Sequence, residues 1–142
     1  MGAAGVGRNG SVYETIIKTH FSAAHALAGH PGKCRRVHGH TYVVRVAVRG
    51  EELDELGMLI DFSDLRRLVE EILEQFDHRN LTELKQFAGE RRPTSENIAR
   101  EIFLALREKL RALPGARERN VELARVEVEE TPGAAAAYYE RP

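Results

Sequence analysis

Residue types alternate from His38 to Val48, and this pattern limits the fold of the chain more than any other feature of the sequence. One parity is the more apolar, and the other carries small, polar and charged side chains. Successive side chains of a β-strand point to opposite faces, so the stretch predicts a strand packed on one side only. The more apolar parity comprises His38, His40, Tyr42, Val44, Val46 and Val48, and the other comprises Gly39, Thr41, Val43, Arg45, Ala47 and Arg49.

Three further stretches have the composition of strands. Residues 12–25 are rich in β-branched and aromatic side chains, and residues 134–140 follow a Pro-Gly turn and can return along a neighbouring strand. Residues 121–130 alternate again. Their pattern predicts one face with Ala124, Val126, Val128 and Glu130, and an opposite face with Leu123, Arg125, Glu127 and Glu129.

Two stretches between these strands have apolar residues at helical spacing. The first is predicted to begin at a cap formed by Asp61 or Ser63 and to run to about Phe76. The second begins at Pro93-Thr94 and ends before Pro114-Gly115. The predicted order is therefore β-β-α-α-β-β. This order is typical of an α+β fold in which an antiparallel sheet carries two helices on one face.

Length, charge and cysteine content narrow the class of protein. A chain of 142 residues predicts one domain, here residues 12–142, and the net charge of −1 provides no field that would draw the protein to nucleic acid or to a membrane. A single cysteine excludes an intrachain disulfide and fits the reducing cytoplasm. Residues 1–11 are rich in glycine and lack the apolar centre of a signal peptide, so they predict a disordered N-terminal segment.

Three histidines form the first candidate site. His38 and His40 lie two residues apart on the predicted strand, so their rings share a face, and His25 ends the preceding strand. Three neutral imidazoles leave Zn²⁺ its full charge and an open fourth position, as in catalytic zinc sites. The alternative is a set of surface histidines or hydrogen-bonded core histidines. Two imidazoles on an apolar face are costly unless satisfied, which favours a shared zinc ion.

Cys34 lies four residues before His38, between Lys33 and Arg35. It can be a fourth metal ligand in a closed structural site, a free thiol that acts as a base near a cation, or a small apolar residue that fills a loop. The spacing alone does not separate the ligand from the base.

Five other polar positions are candidates for chemistry. Asp77 and His78 follow the first helix, either as a polar helix end or as an acid–base pair in which the carboxylate orients the imidazole. Glu130 closes an apolar strand face, so it is either a solvated strand end or a carboxylate that accepts two parallel hydrogen bonds from a heterocycle. Thr94 and Ser95 are first a helix cap, and they can also contact a polar ligand.

Six short motifs occur in the order found in one known family. They are Phe21-Ser22-Ala23-Ala24-His25, Cys34 with three residues before His38-Gly39-His40, Gly57-Met58-Leu59-Ile60-Asp61-Phe62, Asp77-His78-Arg79-Asn80-Leu81, Pro93-Thr94-Ser95-Glu96-Asn97 and Glu129-Glu130-Thr131. Together they resemble the 6-pyruvoyltetrahydropterin synthase / 6-carboxytetrahydropterin synthase family over residues 13–140.

The resemblance implies a role for each matching position. His25, His38 and His40 would bind zinc, Cys34 would accept a proton, Asp77 and His78 would complete an acid–base relay, and Glu130 would anchor a pterin ring. It also implies the tunnelling fold, in which the sheets of several subunits join into a barrel. Family members are typically homohexamers of two stacked trimers with active sites at subunit interfaces.

The resemblance further implies a zinc-dependent lyase that acts on 7,8-dihydroneopterin triphosphate. The three-residue gap between Cys34 and His38 resembles the branch that forms 6-carboxytetrahydropterin, acetaldehyde and triphosphate on the path to queuosine and other deazapurines. The alternatives are a 6-pyruvoyltetrahydropterin synthase, a non-catalytic zinc-stabilised domain that binds a pterin, and a zinc hydrolase. The candidates for holding the triphosphate are basic: Lys33, Arg35, Arg36, Arg91 and Arg92.

Overall fold

Four antiparallel strands form one sheet in the order in which they occur in the sequence. The computed structural model describes residues 10–141, so residues 1–9 of the predicted disordered segment lie outside the described part. The strands are β1 (Tyr13–His25), β2 (His38–Gly50), β3 (Glu122–Thr131) and β4 (Ala134–Tyr138), and the helices are α1 (Phe62–Leu73) and α2 (Ser95–Arg111). The predicted β-β-α-α-β-β order is confirmed.

Both helices pack on the apolar face of the sheet. Tyr42, Val44 and Val46 of β2 have no solvent exposure, as the alternation predicted. Their removal from water, with that of the helix residues opposite them, supplies the main stabilisation of the fold. The helix side of this core is formed mainly by Leu65, Val69, Ile72, Ile98, Ile102 and Leu106.

The helix starts follow the predicted capping, but the end of α1 differs. Asp61 caps α1 by accepting the Ser63 N–H at 2.6 Å. The helix ends at Leu73, three residues before the predicted end near Phe76. The Leu73 carbonyl accepts both the Phe76 and the Asp77 N–H, so the chain leaves the helix in a turn. Phe76 is still buried, which explains why its apolar spacing resembled another helical turn.

A β-bulge in β3 corrects the predicted faces of that strand. Ala47 pairs with Arg125, whereas the next residue of β2, Val48, pairs with Leu123, so one extra residue of β3 lies between them. Leu123 therefore turns to the core, where its exposure is 9%, rather than lying with the charged residues as predicted. The alternation holds from Arg125 to Glu130, beyond the bulge.

The register of β1 and β2 brings the candidate histidines to one end of the sheet. His25 is directly opposite His38, and Ala23 is opposite His40. All three imidazoles consequently lie on the core face, at the end where β1 stops and β2 starts. Within residues 10–141, no helix is both long and apolar enough to cross a membrane.

Candidate metal centre

The three histidines predicted as metal ligands converge on one point. One ligand nitrogen from each of His25, His38 and His40 lies within 4.8 Å of the others. Nε2 of His25 and Nε2 of His38 are 2.9 Å apart. His25 has no solvent exposure, while the other two are half-buried. The cluster therefore sits at the boundary between the core and the surface.

Backbone carbonyls set the tautomers of two of these rings. Nδ1 of His25 lies 2.7 Å from the Pro93 carbonyl, and Nδ1 of His38 lies 2.6 Å from the Arg36 carbonyl. A carbonyl only accepts, so each Nδ1 carries the proton, and in the neutral rings each Nε2 presents a lone pair. Carbonyl acceptors behind the ring are the usual way to orient a metal-binding histidine.

The cluster has the properties of a site that needs a cation. Two Nε2 lone pairs 2.9 Å apart repel each other unless a cation or a proton lies between them. Nε2 of His40 is buried and has no hydrogen-bond partner among the described residues. Burial lowers the pKa of both His25 and His40, which favours the neutral form that binds metal. The three residues thus fit a bound metal ion.

Tyr42 belongs to the site, although the sequence predicted for it only a place on the apolar face of the strand. Its hydroxyl lies 3.1 Å from Nδ1 of His25, and its ring stacks on Phe21 with centroids 4.9 Å apart. Burial raises the pKa of Tyr42, so the phenol stays protonated. Because Tyr42 shares the parity of His38 and His40, the sequence could have placed its side chain beside theirs.

Glu130 lies against the histidine cluster. Its Oε1 is 3.2 Å from Nε2 of His25 and 3.5 Å from Nε2 of His40. These contacts with histidines of the core face place Glu130 on the same face as Val128, as its parity predicted. About a third of its side chain is exposed, so the carboxylate can reach both the cluster and a molecule arriving from solvent.

Asp77 and His78 form a pair at the outer edge of β1. His78 Nδ1 lies 2.9 Å from one Asp77 oxygen, and the other accepts the Ser22 N–H at 2.9 Å. The Ser22 N–H, with a smaller contribution from His78, lowers the pKa of Asp77 and keeps it ionised. The backbone of His78 is left-handed with φ of 57°, and its imidazole is 81% exposed.

A shallow cavity is lined by one residue of the metal cluster, His40, and one residue of this pair, His78. Its volume is about 550 Å³. It opens at the edge of the sheet, where the Arg79 carbonyl accepts the Ala24 N–H at 2.9 Å. The lining includes His40 and His78, together with Ser22, Ala23, Ala24, Gly39, Thr41, Arg79 and Asn80. His40 and His78 therefore border the same open space.

Cys34 lies in a single 3₁₀ turn, Lys33–Arg35, and is half-buried. The Leu27 N–H donates to its carbonyl at 2.8 Å, which closes the loop between β1 and β2. Among the described residues, the compact group of potential metal ligands contains the three histidines and not Cys34. The thiol also makes no hydrogen bond with His78 within the described part of one chain.

Thr94 and Ser95 lie at the start of α2, next to the residue that orients His25. The Thr94 hydroxyl accepts the Asn97 N–H at 3.2 Å, which confirms its capping role. The five basic candidates are exposed on residues 33–36 and 91–92. The first segment contains Arg36, whose carbonyl holds His38, and the second directly precedes Pro93, whose carbonyl holds His25. His20 and His30 stand apart from the cluster, and Nδ1 of His30 accepts the Gly32 N–H at 3.0 Å.

Comparison with solved structures identifies the class of fold to which the chain belongs. A 6-pyruvoyl tetrahydropterin synthase from Caenorhabditis elegans superposes with a TM-score of 0.76 at 30% identity, covering 92% of this chain and 97% of that one. The fold and the histidine cluster together therefore define a tunnelling-fold protein with a site able to hold a metal ion.

Sequence comparison identifies the family. The chain belongs to the 6-pyruvoyl tetrahydropterin synthase family, whose model matches residues 14–141. A 6-carboxy-5,6,7,8-tetrahydropterin synthase from Bacillus subtilis is 37% identical over 130 residues, which is 89% of this chain and 84% of the relative. A putative enzyme of the same name from Archaeoglobus fulgidus is 47% identical over 93 residues, 66% of this chain and 75% of the relative.

Proposed function

We propose that this chain is a zinc-dependent carbon–carbon lyase that converts 7,8-dihydroneopterin triphosphate and water to 6-carboxy-5,6,7,8-tetrahydropterin, acetaldehyde and triphosphate. The observation that carries the proposal is the convergence of three imidazoles, two of them oriented by backbone carbonyls, next to an open cavity that His40 lines. The proposal is supported by curated relatives named 6-carboxy-5,6,7,8-tetrahydropterin synthase, including one from Synechocystis that is 40% identical.

His25, His38 and His40 would hold the zinc ion. When bound, the ion would polarise the side-chain oxygens of the substrate and acidify the neighbouring C–H and O–H bonds. The carbonyls of Pro93 and Arg36 fix two of the rings in the ligating tautomer before the metal arrives, so binding costs little reorganisation.

Cys34 would remove a proton from the substrate, and His78 would return one, with its ring oriented by the ionised Asp77. In the described part of one chain, Cys34 and His78 form no hydrogen bond with each other. We propose that they meet across an interface in a homohexamer built as two stacked trimers. The exposure of His78 is consistent with a partner covering it.

Glu130 would hold the pterin ring through two parallel hydrogen bonds from its N–H groups. Thr94 and Ser95 would contact the same substrate from the start of α2. The triphosphate would lie among the exposed cations of residues 33–36 and 91–92, since these segments border the metal centre.

Replacement of Cys34 by Ala tests the assignment. If Cys34 is the base, zinc content by metal analysis stays at the wild-type level, while turnover of 7,8-dihydroneopterin triphosphate falls by about 10²–10⁴-fold. Loss of zinc together with loss of the fold would instead make Cys34 a structural ligand. Retained turnover would contradict its role as the base.

A second candidate is 6-pyruvoyltetrahydropterin synthase, which acts on the same substrate without releasing acetaldehyde. The C. elegans neighbour bears that name. The short gap between Cys34 and His38 favours the carboxy branch, and the identity of the product decides between them.

A further inference from the structure

The carboxylate of Glu130 occupies a position that a pterin anchor does not require. Its Oε1 approaches two of the three histidine nitrogens, at 3.2 Å from His25 and 3.5 Å from His40. A residue that served only to bind the ring of a substrate could point into the open cavity. Instead, one of its two oxygens lies against His25 and His40.

This contact is unfavourable between the bare groups. Nδ1 of His25 carries the proton because it faces the Pro93 carbonyl, so Nε2 of the neutral ring presents a lone pair to Glu130. A carboxylate oxygen and an imidazole lone pair at 3.2 Å repel each other. A cation among the three nitrogens converts both contacts into attractions. A proton on His25 is the competing explanation.

We propose that Glu130 is the fourth donor to the metal ion in the absence of substrate, and that it leaves the ion when the pterin binds. The inference rests on the proposed function. Three imidazole nitrogens and one carboxylate oxygen complete the four-coordinate set that zinc prefers. The resting site is then closed by a protein group rather than open to solvent.

The Glu130 carboxylate cannot bind the metal ion and hold the pterin ring with two hydrogen bonds at the same time. Two parallel hydrogen bonds to a pterin ring use both carboxylate oxygens. Oε1 is the atom that faces the histidines, so it would have to turn away for the ring to be held. Binding of the ring at Glu130 would thereby free one position at the metal for the substrate side chain.

The test uses the cobalt-substituted protein, because Co²⁺ reports changes in its ligands through its visible spectrum. Azide is titrated into wild type, Glu130→Gln, and the matched control Glu129→Gln. Glu129 is the neighbouring carboxylate on the opposite face of β3, where its Oε1 lies 3.7 Å from Arg45. Circular dichroism monitors the fold of each variant.

If Glu130 fills the fourth position, Glu130→Gln binds azide at least about 10-fold more tightly than wild type, and its zinc affinity falls by a similar factor. Glu129→Gln behaves as wild type. Equal azide affinity in wild type and Glu130→Gln would overturn the inference. If Glu130→Gln does not fold, Glu130→Asp, which withdraws the carboxylate by one methylene, is expected to show tighter azide binding than wild type, and unchanged binding overturns the inference.

The experiment separates this inference from the function on which it rests. A wild-type protein that binds neither Co²⁺ nor Zn²⁺ contradicts the proposed function. A wild-type protein that binds metal and turns over the substrate, but whose azide affinity does not respond to Glu130→Gln, contradicts only the role of Glu130 as a fourth donor. Both oxygens of Glu130 would then serve only to bind the pterin ring.

Discussion

At the scale of single residues, metal binding requires the right histidine tautomers as well as the right ring positions. The parity of β2 predicted that His38 and His40 share a face, and the position of His25 at the end of the preceding strand predicted that it would lie beside them. The tautomers could not be predicted, because the acceptor for His25 is the Pro93 carbonyl, 68 residues away. Such a contact exists only once α2 packs against the sheet.

The buried histidines predict how the metal-free protein responds to acid. Burial lowers the pKa of His25 and His40 from the ordinary value of 6.5. Below that pH the unfolded chain takes up protons that the folded chain resists, so the free energy of unfolding falls. Urea denaturation of the metal-free protein on either side of pH 6.5 measures the effect.

The variant His40→Gln isolates one contribution to this pH dependence. It removes one of the two titrating groups, so its stability is expected to fall less steeply with acidification than that of wild type. Carboxylates elsewhere titrate equally in both proteins, and their effect cancels in the comparison. Identical slopes would show that His40 is not held in its neutral form by burial.

At the scale of elements, helix starts and strand alternation were predictable, whereas the bulge was not. Asp61 and Thr94 cap their helices because their side chains satisfy free backbone N–H groups, a strictly local effect. Leu123 turned out to be buried because one residue of β3 has no counterpart in β2. That mismatch is a property of the pair of strands, so the alternation of β3 alone could not reveal it.

The Thr94 cap allows a test of its two predicted roles. Thr94→Ala removes the acceptor for the Asn97 N–H, and we expect it to lower the free energy of unfolding by about 1 kcal/mol. Thr94→Ser keeps the hydroxyl and serves as the control. Thermal denaturation measures the stability, and KM for the substrate measures the second role. A raised KM in Thr94→Ala without any loss of stability would contradict the capping role.

At the scale of the whole molecule, one face of the sheet carries no helix among residues 10–141, and β1 and β4 form its two edges. The edge of β1 is covered near its end, where Ser22 and Ala24 bond to the backbone of His78 and Arg79. Both helices cover one face, while the other carries charged pairs such as Arg45 with Glu127 at 3.1 Å. Tyr13 and Ile16 of β1, and Val12 directly before it, are exposed at one edge. Exposed sheet edges readily pair with other strands, which is consistent with the proposed oligomeric barrel. The alternation in the sequence predicts this exposed surface, but it does not predict the number of subunits in the oligomer.

Oligomerisation can be tested together with the shared active site. Native mass spectrometry is expected to give the mass of six chains of 15.9 kDa. If Cys34 and His78 of different chains form one site, co-assembly of the inactive variants Cys34→Ala and His78→Ala restores part of the activity. Each variant alone is the control. A mixture of co-assembled chains that stays inactive would place both residues in the same chain.

Identification of the product formed from 7,8-dihydroneopterin triphosphate tests the proposed reaction most directly. The zinc-loaded protein is incubated with this substrate, the pterin is identified by mass spectrometry, and aldehydes are trapped as hydrazones. The proposed function predicts 6-carboxy-5,6,7,8-tetrahydropterin together with acetaldehyde. A 6-pyruvoyl product without acetaldehyde, or an unchanged substrate, would contradict it.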